Sequence, residues 1–207
     1  MEMGGKDPLI VMEDADIERA ARFAVASSFE NAGQMCIGTE RILVDEKIAE
    51  EFEKLAVAHS RRYKTGPWND PEANIGPIIN EKQRNKILRH IEDAIEKGAK
   101  ILAGGADHPP RYILPTVLSN VTRDMLIWQE ETFGPLACIT RFKDIGEAVR
   151  LANDTRLGLG ASVFGQKDVE EVANRLEAGM VGINRGAAGV GDTPWVGAKQ
   201  SGIGYHG

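Results

Sequence analysis

Apolar residues recur at spacings of three and four along several segments, which is the pattern of amphipathic helices. The pattern predicts a helix from about Asp14 to Glu30 that ends near Gly33. It also predicts helices over residues 45–63, 80–97, 144–152 and 169–177. Asn80 and Gln83 occupy the reciprocal positions of a capping box, so we expect them to open one of these helices.

Short apolar runs between the helices predict β-strands over residues 41–44, 100–103, 136–142, 161–164 and 180–184. Residues 65–79 are rich in proline and glycine and are predicted to form a loop, and residues 185–207 are glycine-rich and predicted to be irregular. Strands that alternate with helices are typical of a parallel sheet. We therefore predict an α/β fold with a mostly parallel sheet covered by helices.

Composition and charge exclude several classes of function. The 207 residues suit one domain, and 42% hydrophobic with 27% charged residues is ordinary for a globular protein. A net charge of −6 gives no cationic surface for nucleic acid or an anionic membrane. No apolar run approaches the ~20 residues that span a bilayer, and residues 1–6 do not resemble a signal peptide. We expect a cytoplasmic protein.

Neither end of the chain has an element that leads in or closes the fold. Residues 1–6 contain a Gly-Gly pair, and residues 204–207 end on another glycine. This pattern predicts a segment cut at both ends from a larger protein.

The two cysteines have different surroundings. Cys138 lies in an apolar predicted strand, so we expect an unreactive core position, whereas Cys36 follows a helix end and a glycine-containing turn. Backbone N–H groups in such a turn can lower a thiol pKa and stabilise an oxyanion. Considered alone, Cys36 fits a small buried apolar residue better. Two cysteines are too few for a disulfide framework, and no spacing fits a metal site, so no metal is predicted.

Glu2 is a candidate partner for Cys36. It precedes the Gly4-Gly5 pair, where backbone can approach a ligand closely. A carboxylate near a thiol can accept its proton or activate water. Considered alone, Glu2 is more simply a surface residue.

Several motifs, in order and at consistent spacing, resemble those of the aldehyde dehydrogenase superfamily. EMGGKDP at 2–8 resembles its glutamate motif, GQMC at 33–36 its cysteine motif, and EETFGP at 130–135 its cofactor-contacting motif. Residues 75–79, 153–159 and 199–204 also fit, so the resemblance covers nearly the whole chain.

The resemblance implies that residues 1–207 form the catalytic domain of an NAD- or NADP-dependent enzyme that oxidises a small aldehyde to a carboxylic acid. It implies Cys36 as nucleophile and Glu2 as general base, with a thiohemiacetal and then a thioester on the cysteine. It implies that Glu131 holds the nicotinamide ribose and that Phe133 packs near the cofactor. Most of the nucleotide-binding half would be absent, and the full-length protein is expected to be a homo-oligomer.

The resemblance also suggests residues of the substrate pocket. The Cys36 N–H would be one oxyanion donor, while the second donor in the family is an asparagine from the absent half. Asn184 resembles a family asparagine near the active site, and Trp195 stands where relatives usually carry phenylalanine. Glu30 would repel a substrate carboxylate whereas Arg185 could attract one, so these two clues conflict and the aldehyde is left unspecified.

Two other functions stay open at this stage. A thiol esterase or acyltransferase could use the same cysteine and glutamate without redox chemistry, and a truncated remnant could be non-catalytic. The GxGxxG pattern at residues 202–207 is followed by no helix, so we interpret it as a loop. His59 and His90 lie among charged residues of predicted helices and are expected at the surface.

Overall fold

The computed structural model describes residues 1–105, 108–187 and 194–206. Its helices are α1 (Ile17–Phe29), α2 (Ala49–Ser60), α3 (Glu81–Glu96), α4 (Leu126–Gln129), α5 (Ile145–Asn153) and α6 (Val169–Asn174). Its longer strands are β1 (Asp7–Val11), β2 (Thr39–Asp45), β3 (Lys100–Ala103), β4 (Thr116–Ser119), β5 (Leu136–Phe142), β7 (Gly160–Phe164) and β8 (Met180–Ile183). Four two-residue strands complete it: β6 (Leu157–Gly158), β9 (Trp195–Val196), β10 (Ala198–Lys199) and β11 (Tyr205–His206).

Seven strands of the described chain form one sheet in the order β3-β4-β5-β2-β1-β7-β8. Every neighbouring pair is parallel except β3 with β4 at one edge. The central strands β1 and β2 are buried along their whole length, as expected when helices cover both faces of a sheet. The predicted fold class is confirmed.

The helices divide between the two faces because the chain crosses the sheet in both directions. It steps from β1 to β2 through α1 and later from β5 to β7 through α5, in opposite directions. Right-handed crossovers then place α1 and α5 on opposite faces. Helix α1 packs against α2, and α5 packs on β1, β2 and β5.

The sheet register brings the starts of several strands to one edge. Asp7 at the start of β1 pairs with Thr39 at the start of β2, and Gly160 pairs with Met180. Segments that precede β1, β2 and β5 therefore meet at the amino edge of the sheet. These segments contain the glutamate, cysteine and cofactor-contacting motifs.

Two strands of the seven-stranded sheet, and the four two-residue strands, were missed by the sequence analysis. Strand β1 opens on Asp7-Pro8, two residue types that strands disfavour, and its pairing with β2 shifts in register between them. Strand β4 has only four residues, too few for a clear pattern. The predicted helices are found, with ends that differ by a few residues. Within the glycine-rich region 185–207, residues 188–193 and 207 lie outside the described residues.

The surface positions predicted for His59 and His90 are wrong. His90 is fully buried on the face of α3 that also carries Ile87, Ile91 and Ala94, at helical spacing. His59 is also buried, and its Nε2 lies 3.0 Å from the Glu18 carboxylate. Charged neighbours in sequence misled the prediction because they occupy the other faces of the same helices.

No helix in the described part of the chain is long and apolar enough to cross a membrane.

Candidate active site

A sharp kink carries the chain from α1 to Cys36. Asn31, Ala32 and Gly33 all have positive φ, at 51°, 59° and 70°. Positive φ is unfavourable for alanine, so tertiary contacts must hold this turn. A β-carbon on Gly33 would overlap the carbonyl of Gly134, which explains why glycine is needed there. The kink therefore packs the cysteine segment directly against the segment before β5.

Gln34 fixes the cysteine segment from the other side. Its Oε1 accepts the N–H of Ile79 at 2.9 Å, and its Nε2 donates to the carbonyls of Asn31 and Pro77. The loop motif at residues 75–79 thus braces the approach to Cys36.

Cys36 is half-buried in a small apolar cluster separate from the main core. Buried Leu159, Met180 and Ala187 form the cluster, and Cys36 and Trp195 pack against it. Apolar walls on one side of a thiol suit an uncharged carbonyl substrate.

Glu2 contacts the Cys36 thiol. Burial, a hydrogen bond to the Glu2 carboxylate and repulsion by its charge raise the pKa of Cys36 to about 11, against the lowering effect of the Ile37 and Cys36 backbone N–H groups. The resting group is therefore a thiol whose proton already faces a carboxylate. Such a pair is arranged for proton transfer from sulfur to oxygen.

Trp195 orients the Glu2 carboxylate. The indole Nε1 donates to Glu2 Oε2 at 2.6 Å. Backbone bonds hold the same region: Met3 N–H donates to the Ser201 carbonyl, and Glu2 pairs with Gly202 in an antiparallel bridge. Glu2 nevertheless remains exposed, so its carboxylate can exchange protons with solvent.

Glu131 lies across the Gly4-Gly5 pair. The Gly5 N–H donates to Glu131 Oε1 at 3.0 Å, and a β-carbon on Gly4 would stand 2.6 Å from the same oxygen. A β-carbon on Gly5 would stand 2.5 Å from the Cys36 carbonyl oxygen, so the three segments touch here. Burial raises the pKa of Glu131, while the Gly5 N–H lowers it.

Phe133 adopts a left-handed backbone conformation, with φ of 57°. A residue of this kind in that region costs roughly 1–3 kcal/mol, which surrounding bonds must offset. The Phe133 N–H donates to Glu40 Oε1 at 2.7 Å, and Gln83 Nε2 donates to the Phe133 and Thr132 carbonyls at 3.1 and 2.8 Å. The Gln83 side chain therefore holds this segment and does not complete the predicted capping box. Only the first bond of that box is found, in which the Gln83 N–H donates to Asn80 Oδ1.

Asn184 and Arg185 directly follow β8. Asn184 follows β8, and its side-chain amide bonds both the N–H and the carbonyl of Gly165, at 3.1 and 2.9 Å. Arg185 is exposed beside it. The Asn184 side chain therefore bonds the carboxyl end of β7, and the chain then folds back, because Ala187 belongs to the apolar cluster that contacts Cys36. The substrate-pocket roles of Asn184 and Arg185 stay predictions.

Four residues around the site were assigned no functional role by the sequence analysis: Lys6, Gln34, Glu40 and Gln83. The importance of Glu40 could have been inferred, because it is a charged residue in a fully buried strand, and a buried carboxylate needs hydrogen-bond partners. No group of three His, Cys, Asp or Glu residues in the described ranges could hold a metal ion.

The fold and these motifs are shared with known proteins. A sequence profile of the aldehyde dehydrogenase family matches residues 1–207. The chain is 43% identical to a protein of Sinorhizobium fredii named probable succinate-semialdehyde dehydrogenase [NADP(+)], covering all of this chain and 43% of the relative. It is 46% identical to a 3-sulfolactaldehyde dehydrogenase of Pseudomonas putida, again covering all of this chain and 43% of the relative.

Solved structures agree with the sequence comparison. An aldehyde dehydrogenase from Brucella melitensis biovar abortus 2308 superposes with a TM-score of 0.94 at 40% identity, over 99% of this chain and 43% of that one. A betaine aldehyde dehydrogenase from Staphylococcus aureus, in complex with NAD+, gives 0.92 at 37% identity, over 99% and 42%. The chain thus spans less than half the length of these relatives. With its whole length matched by the family profile, the chain belongs to the aldehyde dehydrogenase family.

Proposed function

We propose that this chain carries the nucleophile and the general base of an enzyme that oxidises an aldehyde to a carboxylic acid with NAD or NADP. The observation that carries the proposal is the Cys36 thiol hydrogen-bonded to the Glu2 carboxylate at the amino edge of the sheet. Family membership and nicotinamide cofactors in the names of relatives support it.

Glu2 starts the reaction by accepting the thiol proton of Cys36. The sulfur then forms a bond to the aldehyde carbon, and the carbonyl oxygen becomes the oxyanion of a thiohemiacetal. In this proposal the Cys36 backbone N–H donates to that oxygen, the electrostatic role that turns of this kind play in acyl chemistry. Exposed Glu2 returns its proton to solvent before it is needed again.

The residues present fit the nicotinamide end of a cofactor. Glu131 has one carboxylate oxygen bound by Gly5, and its Oε2 accepts no hydrogen bond from the described residues, which leaves an acceptor for a ribose hydroxyl. The absence of a side chain on Gly4 keeps this carboxylate against the backbone. When bound, the cofactor supplies a hydride acceptor for the thiohemiacetal carbon.

Glu2 acts a second time in hydrolysis of the resulting thioester. Its carboxylate takes a proton from water as the water oxygen bonds to the thioester carbon. The carbon–sulfur bond breaks, the carboxylic acid leaves and the Cys36 thiolate is restored. The net change consumes one aldehyde, one water and one oxidised cofactor, and yields one acid, one reduced cofactor and one proton.

The aldehyde is proposed only as a class. Relatives are named for succinate semialdehyde, betaine aldehyde and 3-sulfolactaldehyde, and these substrates carry unlike charges.

The isolated chain is proposed to turn over slowly. It spans about 43% of its relatives, and the family resemblance assigns the second oxyanion donor and the nucleotide cradle to the remainder. Acylation of the sulfur by an ester does not need the nucleotide, so it offers the sharper test. Incubation with p-nitrophenyl acetate should acetylate Cys36, detected as a mass increase on the peptide that contains it, and Cys36→Ala should abolish the label.

Redox function is tested separately. With an aldehyde and NAD+ or NADP+, the wild-type chain should produce reduced nicotinamide slowly, and Cys36→Ser and Glu2→Gln should produce less. Acetylation without any reduced nicotinamide, even in full-length protein, would favour the thiol esterase alternative. A Cys36 that reacts with neither ester nor aldehyde in folded protein would contradict both.

A further inference from the structure

The Glu40 carboxylate is buried at the point where three segments of the site meet. It lies four residues after Cys36 on β2, and only 10% of its side chain is exposed. Its partners come from the two other segments: Lys6 follows the Gly4-Gly5 pair, and Thr132 and Phe133 flank the cofactor-contacting glutamate. Glu40 thus links the segments that carry Cys36, the Gly4-Gly5 pair and Glu131.

The Glu40 carboxylate accepts hydrogen bonds from two consecutive backbone N–H groups. Thr132 N–H donates to Oε1 and Oε2 at 3.0 and 2.8 Å, and Phe133 N–H donates to Oε1 at 2.7 Å. Gln83 holds the two carbonyls of the same residues from α3. Because Phe133 is left-handed, this arrangement holds a conformation that the local sequence does not favour.

Lys6 completes the link between Glu40 and the glycine pair. Its fully buried ammonium pairs with Glu40 Oε2 and lies 3.4 Å from Thr132 Oγ1, which also bonds His90 Nδ1 at 3.1 Å. A buried charge pair is retained at a cost in desolvation and is often no more stabilising than apolar packing. Fold stability alone is therefore a weak explanation for this pair.

On these grounds, and resting on the proposed function, we propose that Glu40 is a positioning residue for the cofactor. By accepting the Thr132 and Phe133 N–H groups, it holds Glu131 against Gly5 and thereby sets the distance between the ribose-holding carboxylate and the nucleophile, which lies just before the strand of Glu40. Placement at this precision matters because hydride transfer is sensitive to small misalignment.

Two double variants separate the acceptor role from the charge. Lys6→Met with Glu40→Gln removes both buried charges but keeps the Oε1 position that serves both N–H groups. Lys6→Met with Glu40→Met removes the charges and every acceptor. If Glu40 acts as proposed, amide hydrogen exchange at Thr132 and Phe133 is at least about tenfold faster in the second variant than in the first. Exchange in β4 and β5 stays equal in both.

NAD+ affinity is measured by titration, with the NMR chemical shifts of the Gly5 and Phe133 amides as the signal. The methionine variant should bind about tenfold more weakly than the glutamine variant, equivalent to ~1.4 kcal/mol. Glu53→Gln is the matched control, since Glu53 pairs with Arg141 at the other end of β5, and it should leave binding unchanged.

Equal exchange in the two double variants, or acceleration spread over β4 and β5, would overturn the positioning role. If the methionine variant does not fold, the wild-type chain decides the matter. Scalar couplings across hydrogen bonds should connect the Glu40 carboxyl carbon with the Thr132 and Phe133 amides, and their absence contradicts the proposal. Absence of NAD+ binding to wild-type, full-length protein would instead count against the proposed function, because hydrogen exchange does not depend on it.

Discussion

The Trp195 indole N–H donates to Glu2 Oε2 at 2.6 Å, so this tryptophan and the general-base candidate are held together. The glutamate lies at the start of the chain and the tryptophan near its end, and the bridge of Glu2 with Gly202 brings their segments together. The indole donor limits rotation of the carboxylate that contacts the Cys36 thiol. Phenylalanine, the residue that relatives usually carry at position 195, has no N–H to donate to this glutamate.

Trp195→Phe should slow deacylation of Cys36. Phenylalanine keeps the apolar wall but removes the N–H, and loss of a hydrogen bond to a charged group is worth ~1.5 kcal/mol, or about a tenfold change in rate. Release of acetate from acetylated enzyme measures the effect. Trp68→Phe is the control, because Trp68 is 96% exposed and distant in sequence from the site. Equal deacylation rates in the two variants would show that the indole bond does not matter.

The rate at which iodoacetamide alkylates Cys36 should depend on pH as expected for a thiol of high pKa. The rate is expected to rise with pH toward a midpoint of about 11, because burial and the Glu2 carboxylate both disfavour the thiolate. Glu2→Gln removes the negative charge and offers an N–H donor to the thiolate, so the midpoint should move to lower pH while burial keeps it above the ordinary thiol value.

The label is assigned by peptide mapping. Cys138 is the internal control: burial raises its pKa to about 12, and it should stay unlabelled in folded protein. A midpoint that rises or stays fixed in Glu2→Gln would argue against contact between the two groups in solution.

Gly33→Ala should destabilise the fold. The added β-carbon overlaps the Gly134 carbonyl and also requires alanine at a φ of 70°, so we expect a loss of roughly 2–4 kcal/mol in the free energy of unfolding. Gly76→Ala is the matched control, since a β-carbon there meets nothing within 4 Å. Urea denaturation of both variants checks this, and a similar small change in each would contradict the packing described for the kink.

His90 should make the fold sensitive to acid. Burial lowers its pKa to about 4, with further lowering by Lys6 and an opposing effect of Glu130. The folded state then binds fewer protons than the unfolded state, so stability falls as pH drops from about 6.5 toward 4, by an amount of order 2–3 kcal/mol. His90→Gln can still bond Thr132 and should flatten this limb of the stability profile, measured by urea denaturation at several pH values. An unchanged acid limb would exclude His90 as its source.

The sequence predicted some features well and others only through family resemblance. Helix α3 and strand β5 were predictable because each has a long, clear hydrophobic pattern. Strand β1 was not, since Asp7-Pro8 mark turns more often than strands, and burial between β2 and β7 outweighs that preference. The motifs of Cys36, Glu2 and Glu131 were recognised, but only the sheet register explains why they share an edge.

The backbone conformation at Phe133 could not have been predicted locally. It depends on Glu40 and Gln83, which are 93 and 50 residues away in sequence.

The common amino edge of β1, β2 and β5 has a consequence for how the chain tolerates change. The turns that leave the carboxyl ends of these strands, such as residues 12–16 after β1 and residues 46–48 after β2, lie a strand's length away from Cys36. Peptide inserted in those turns would lengthen the route between the motifs without altering their alignment. Proteins with this architecture can therefore acquire longer surface segments or fused domains while the motif segments keep their positions relative to one another. Labels can be attached at the same turns.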